Sequence, residues 1–162
     1  MVITSLIENL RSQVEWHQVL LELLKAESLL PPQTSLNELQ DIISQRDLAT
    51  KQIERLELGR VKMVEVYLKS TGLALDSNLE AIAKSLLNEQ GDALLELKKH
   101  LLQKLELIRG FAHQCALQAQ ARANCFAEVS GSLHQTQQRT TTYSQYGQIQ
   151  QPKGSVFLTR SI

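Results

Sequence analysis

Aromatic residues make up only 4% of this 162-residue chain, and it holds two cysteines, three prolines and seven glycines. Each shortage excludes something. Two cysteines cannot build the disulfide framework of a small secreted domain. Cys115 and Cys125 stand roughly 80° apart around a helix and form no C-x-x-C unit. The scattered glycines make no phosphate-cradling loop, and no G-x-S-x-G elbow surrounds any serine. Neither sign of charge prevails: Lys+Arg and Asp+Glu both number 17. A protein that coats phosphate carries a basic excess, so no nucleic-acid partner is expected. No apolar run approaches the roughly 18 residues of a membrane span. The longest, around Val19–Leu24, is already broken by Glu22. The opening MVITSLIENLR has no basic stretch followed by an apolar one, as a secretory signal requires. These absences predict a cytoplasmic protein that does not insert into membranes.

Catalytic and metal-binding patterns are also missing. His17, His100, His113 and His134 are never four residues from one another or from a cysteine, the spacing a helical metal site uses. No metal, cofactor or enzymatic activity is expected. His17 falls on an apolar stripe and reads as a packed or interface histidine. The cysteines read as small apolar residues. Lys98, Lys99, Lys104 and Arg109 are interleaved with Glu96 and Glu106, the pattern of a solvated, salt-laced helix face.

What the chain does have is leucine at helical spacing, within a 43% hydrophobic composition. From about Ile3 to Leu30, Ile3, Ile7, Leu10, Val14, His17, Leu21 and Leu24 recur at alternating steps of four and three. That spacing keeps one helix face on a partner. Leu6, Leu20 and Leu23 widen it, and Pro31-Pro32 stops the helix. Ser35 and Glu38 form a capping box, each satisfying a backbone N–H of the first turn. The next stripe is Leu39, Ile42, Arg46, Ala49, Ile53, Leu56, Arg60, Met63 and Tyr67, interrupted by its two arginines. Gly59 weakens this helix and Gly72 ends it. Ser77 and Glu80 suggest a second capping box. Gly91 and Asp92 suggest a stop and restart, with a kinked continuous helix as the alternative.

The last helix carries Leu101, Leu105, Ile108, Ala112, Cys115, Ala119, Arg122, Phe126, Val129 and Leu133. From Ala112 the stripe residues turn small, which allows close helix approach or leaves a shallow groove for another chain. Ala112, Cys115, Ala119, Arg122, Phe126, Val129 and Leu133 are therefore the expected client-binding face. No acidic residue follows Glu128, and the Gln/Thr-rich remainder is too polar to offset the cost of ordering it. The expected division is a helical bundle over 1–134 and a flexible basic tail over 135–162. Tyr143, Tyr146, Ile149 and Val156–Leu158 are its sparse apolar points, suited to a short segment that orders on a partner.

Together these segments resemble the FlgN family of flagellar export chaperones. The resemblance runs from about Leu6 to Gln148. It rests on LIENLRSQVEWHQVLLELLKAESLL, on LATKQIERLELGRVKMVEVYL, where Lys51, Leu56, Glu57 and Arg60 match, and on TTTYSQYGQIQ. The chain departs from the family in lacking an Asn-x-x-Asn-Gly-like segment in its last helix. The resemblance implies a chaperone that holds the C-terminal helical segment of hook–filament junction proteins (FlgK/FlgL-like) unpolymerised. It also implies delivery to the export gate protein (FlhA-like), docked through Tyr146 with Tyr143 and Gly147 beside it. The expected fold is all-α: an antiparallel bundle of three to four helices, two of them long and coiled-coil-like, with a flexible C-terminal tail, and a homodimer is allowed. The alternative function is a structural coiled-coil subunit or scaffold of a secretion apparatus. The breaks at Pro31-Pro32, Gly72 and Gly91 argue against a two-helix stalk.

Overall fold

A computed structural model of the chain describes residues 2–31, 33–74, 78–86, 89–139, 142–143 and 149–150. Four α-helices account for almost all of them: α1 (Val2–Ser28), α2 (Leu36–Thr71), α3 (Leu79–Leu86) and α4 (Glu89–Arg139). Two two-residue strands, β1 (Thr142–Tyr143) and β2 (Ile149–Gln150), pair antiparallel, with Tyr143 opposite Ile149. The chain forms two compact units, Met1–Leu117 and Gln118–Ile162.

The fold is all-α, as the leucine periodicity predicts, and three of its helices are long. At 1.5 Å per residue α1 extends about 40 Å and α2 about 54 Å. Within the first unit α1 and α2 run antiparallel, Asn9 meeting Leu56 and Glu27 meeting Arg46. The start of α4 runs parallel to α1, because Lys104 hydrogen-bonds Gln18 and the ammonium of Lys25 stands 5.7 Å from the Phe111 ring centroid. An up-down-up order leaves α1 and the start of α4 parallel, with short α3 making the turn.

The α2 caps follow the sequence. Ser35 and Glu38 make the reciprocal capping box of α2, and Gly72 ends that helix at φ 69°. At α3 the cap is Asn78: its Oδ1 accepts from the Ala81 N–H at 2.9 Å, and its carbonyl takes the Ile82 N–H. The Ser77 capping box falls outside the described residues. Asn caps a helix as well as Ser does, which makes the neighbouring Ser-Asn pair ambiguous in sequence.

The main core lies where α1 begins, α2 ends and α3 crosses. Ile3, Leu6, Ile7 and Leu10 meet Leu68, Ile82, Ala83 and Leu94 there. Leu6, Leu10, Leu68, Ile82 and Leu94 are fully buried, each worth about 1.5–3 kcal/mol over exposure. The α4 stripe therefore starts earlier than Leu101, at Leu94 and Leu97. Gly91 does not terminate a helix. It lies inside the first turns of α4, buried, where an added Cβ would stand 2.5 Å from the Ala83 carbonyl oxygen. Glycine is required there because α3 folds back onto α4 backbone to backbone.

Beyond the expected tail boundary at 134, α4 continues to Arg139. Extending an existing helix needs no new nucleus, and Gln and Arg are good helix formers.

Two glycines of α4 should respond oppositely to alanine. Gly91→Ala is expected to destabilise by about 1–3 kcal/mol, overpacking against Ala83 outweighing the helix-propensity gain of about 1 kcal/mol. Gly110→Ala meets nothing within 4 Å and should stabilise by up to about 1 kcal/mol. Urea unfolding of the two variants beside the parent reads both signs.

Candidate functional site

Between the main core and the far end of α1 the interior turns polar. Asn9, Gln13 and His17 follow one another at i, i+4 and i+8 on the α1 face toward α2. Asn9 Nδ2 donates to the Leu56 carbonyl at 3.2 Å. Gly59 allows this approach, since a Cβ there would come within 3.3 Å of Asn9 Nδ2. Gln13 Nε2 donates to Asn9 Oδ1 at 3.0 Å and to Glu57 Oε2 at 3.4 Å. His17 Nδ1 donates to the Gln13 carbonyl at 2.7 Å. Glu57 takes a bidentate pair of hydrogen bonds from Arg60, at 2.7 Å from Nε and 2.5 Å from Nη2.

This ladder lines an open cleft of about 470 Å³. Leu10, Gln13 and His17 of α1, Ile53, Glu57 and Arg60 of α2, and Leu101, Leu102 and Leu105 of α4 form its walls, with Asn78, Leu79 and Lys98 at one end. Leu105, expected on the packed stripe, is exposed because it faces this opening. Lys98 reaches across to Glu80 of α3 at 3.1 Å, where the sequence suggested pairing along its own helix. Lys98 and then Lys84 hold the Glu80 carboxyl below the usual carboxylate range.

The two arginines that interrupt the α2 stripe both face carboxylates. Arg46 Nη1 is 2.8 Å from Glu27 Oε2, whose side chain is buried, and Arg60 holds Glu57. Sequence reading missed Gln13 and Glu27 as interior residues. The signal was present as Asn9-Gln13-His17 spacing and as basic residues on an apolar stripe, which imply acidic partners inside. Of the four residues carrying the α2 resemblance, Glu57 and Arg60 line the cleft, Leu56 supplies the carbonyl Asn9 binds, and Lys51 is exposed.

The expected client face is divided. In the first unit Cys115 is buried, its Sγ donating to the Leu24 carbonyl at 3.4 Å, so its thiol packs α4 on α1, while Ala112 is exposed. In the second unit Ala119 is exposed, Arg122 is half-buried, and Phe126, Val129 and Leu133 are 75%, 54% and 62% exposed. Those three large apolar side chains sit at i, i+3 and i+7, on one face of α4. Ser130 and Ser132 close hydrogen bonds onto the helix's own carbonyls of Ala127 and Glu128. Tyr143 lies in β1; Tyr146 and Gly147 fall outside the described residues. Among the described residues no group of His, Cys, Asp and Glu is arranged to hold a metal ion, and no helix is long and apolar enough to cross a membrane.

Arg60's hydrogen bonds, opposed by partial burial and aided by Arg60's charge, hold the Glu57 carboxyl below its ordinary value of 4.5. A depressed carboxylate adds stability that is present above the ordinary value and is lost as pH falls through the depressed one. Glu57→Gln should therefore lower the melting temperature at neutral pH, with the gap closing as pH drops below 4.5. A gap that stays constant across that range would show that the ion pair contributes nothing.

The sequence model of one protein family, FlgN protein, matches residues 1–151. No curated protein and no solved structure matches the chain. With that match running through the bundle, the cleft and the exposed face of α4, the chain belongs to the FlgN family of flagellar export chaperones, a family of binding proteins and not of enzymes.

Proposed function

We propose that this chain binds the C-terminal helical segment of hook–filament junction proteins, keeps them unpolymerised and delivers them to the export gate. The observation that carries the client half is the exposed row Phe126, Val129 and Leu133 in the second unit. Solvent-facing large apolar side chains at i, i+3, i+7 are what an amphipathic client helix covers when it lies along another helix. Ala119, small and exposed on the same face, lets the client backbone come near. The client helix gains a partner for its apolar stripe, and that same stripe is then unavailable for assembly with other copies of the client.

The gate half rests on the tail. Tyr146 and Gly147 match the family segment linked with gate docking, and Tyr143 is the neighbouring aromatic. Tyrosine loses little conformational entropy on burial and has both an apolar body and a polar tip, which suits a short anchoring segment. Cytoplasmic residence follows from this reading, since the client is met before export.

Phe126→Asp should weaken binding of a junction protein's C-terminal segment by about thirtyfold, the loss of a single anchor worth about 2 kcal/mol. Thermal unfolding should be unchanged, because Phe126 is exposed. Calorimetric titration reads the first and circular dichroism the second; unchanged affinity would move the client elsewhere. Tyr146→Ala should leave client affinity intact and lower affinity for the gate's cytoplasmic domain by a similar factor. A loss confined to Tyr143→Ala would move the anchor to that residue.

A further inference from the structure

The two units differ in charge. Residues 1–117 hold 13 Lys+Arg and 16 Asp+Glu, a net charge of −3, whereas residues 118–162 hold four and one, a net charge of +3. The zero net charge of the whole chain conceals this division. The cations after Leu117 are Arg122, Arg139, Lys153 and Arg160, and the one acid is Glu128.

Helix geometry turns that acid away from the apolar row. At 100° per residue Glu128 stands roughly 100–160° around α4 from Phe126, Val129 and Leu133, while Arg122 stands within about 40° of all three. Every other residue from Gln118 to Leu133 is uncharged. The side of α4 that carries the row therefore holds a cation and no anion.

Whatever covers an apolar row must also meet the charge at its margin. An amphipathic helix buries one stripe and leaves its flanking residues at the edge of the contact. Beside a positive margin, carboxylates on those flanks are attracted and ammonium groups repelled. Each exposed contact is weak, and several act together. The first unit has the opposite sign, so an acidic helix is disfavoured on its surface. The same difference steers the encounter before contact is made.

We propose that the client helix covering Phe126, Val129 and Leu133 has acidic flanks, with carboxylates beside its apolar stripe, a proposal that rests on the client face described above.

The test uses the full-length chain and three stapled model helices that share one leucine stripe and differ only in their flanks: glutamate, glutamine or lysine. Stapling keeps all three helical when free. Calorimetric titration at low salt should rank them in that order, glutamate above lysine by about tenfold, as a few exposed charge contacts give. The difference should shrink toward parity at about 1 M salt. Phe126→Ser, which changes no charge, should weaken all three. Arg139→Glu, Lys153→Glu and Arg160→Glu together leave one cation and four acids after Leu117, a net charge of −3, and should invert the order. None of the three belongs to the apolar core. Equal affinities at low salt, or an order unmoved by the reversal, overturn the proposal. If Phe126→Ser still weakens every helix in that case, the client face stands without its acidic preference. If Phe126→Ser weakens none, or no helix binds saturably, both readings fall. A single-stranded oligonucleotide that displaces the glutamate helix assigns the basic segment to nucleic acid and also overturns the proposal.

Discussion

α1 carries Gln13, His17 and Glu27 into an interior otherwise built from leucine, isoleucine, alanine and Cys115, and each of them needs a partner. An unsatisfied buried polar group costs about 1–3 kcal/mol, as much as a large share of a domain's net stability. The position of α2 answers that requirement. Its backbone carbonyl at Leu56 takes Asn9, its Glu57 takes Gln13, and its Arg46 neutralises Glu27. A slip of α2 by one turn along α1 would strand Glu27 without Arg46, and removing one member of a buried pair is more costly than the pair is worth. The polar contacts thus set the register that leucines alone, interchangeable in size and shape, leave loose.

The apolar core does different work. It gathers at one end of the first unit, where α3 turns the chain and Gly91 lets the Ala83 carbonyl sit against α4. Close packing there is balanced by an opening farther along, where the walls of α2 and α4 stand apart around His17. Several polar groups along it are bonded to one another, Gln13 to Glu57 and Glu57 to Arg60.

The client binding proposed above would give the second unit's exposed apolar residues a reason to be exposed. A monomer that only had to stay soluble would not place Phe126, Val129 and Leu133 on one solvent-facing stripe. In the function proposed above the stripe is the surface that a client helix covers, presented by a helix that is already formed, so binding would require little reorganisation of the chaperone.

Helix content, the α2 cap at Ser35 and Glu38, the stop at Gly72 and the family itself were determined by sequence, because each depends on neighbours within a turn or on a recurrent pattern. Tertiary structure decided the rest. Gly91 is a point of helix approach where local rules read a helix end. Cys115 belongs to the packing of α1 and α4 although its stripe continues into exposed residues. Arg46 and Arg60 looked like interruptions of an apolar row until Glu27 and Glu57 appeared opposite and beside them. Periodicity reports which face a residue occupies. Whether that face meets a carbonyl, a carboxylate, a leucine or water depends on elements 19 to 91 residues away in sequence, and only the packed chain brings them together.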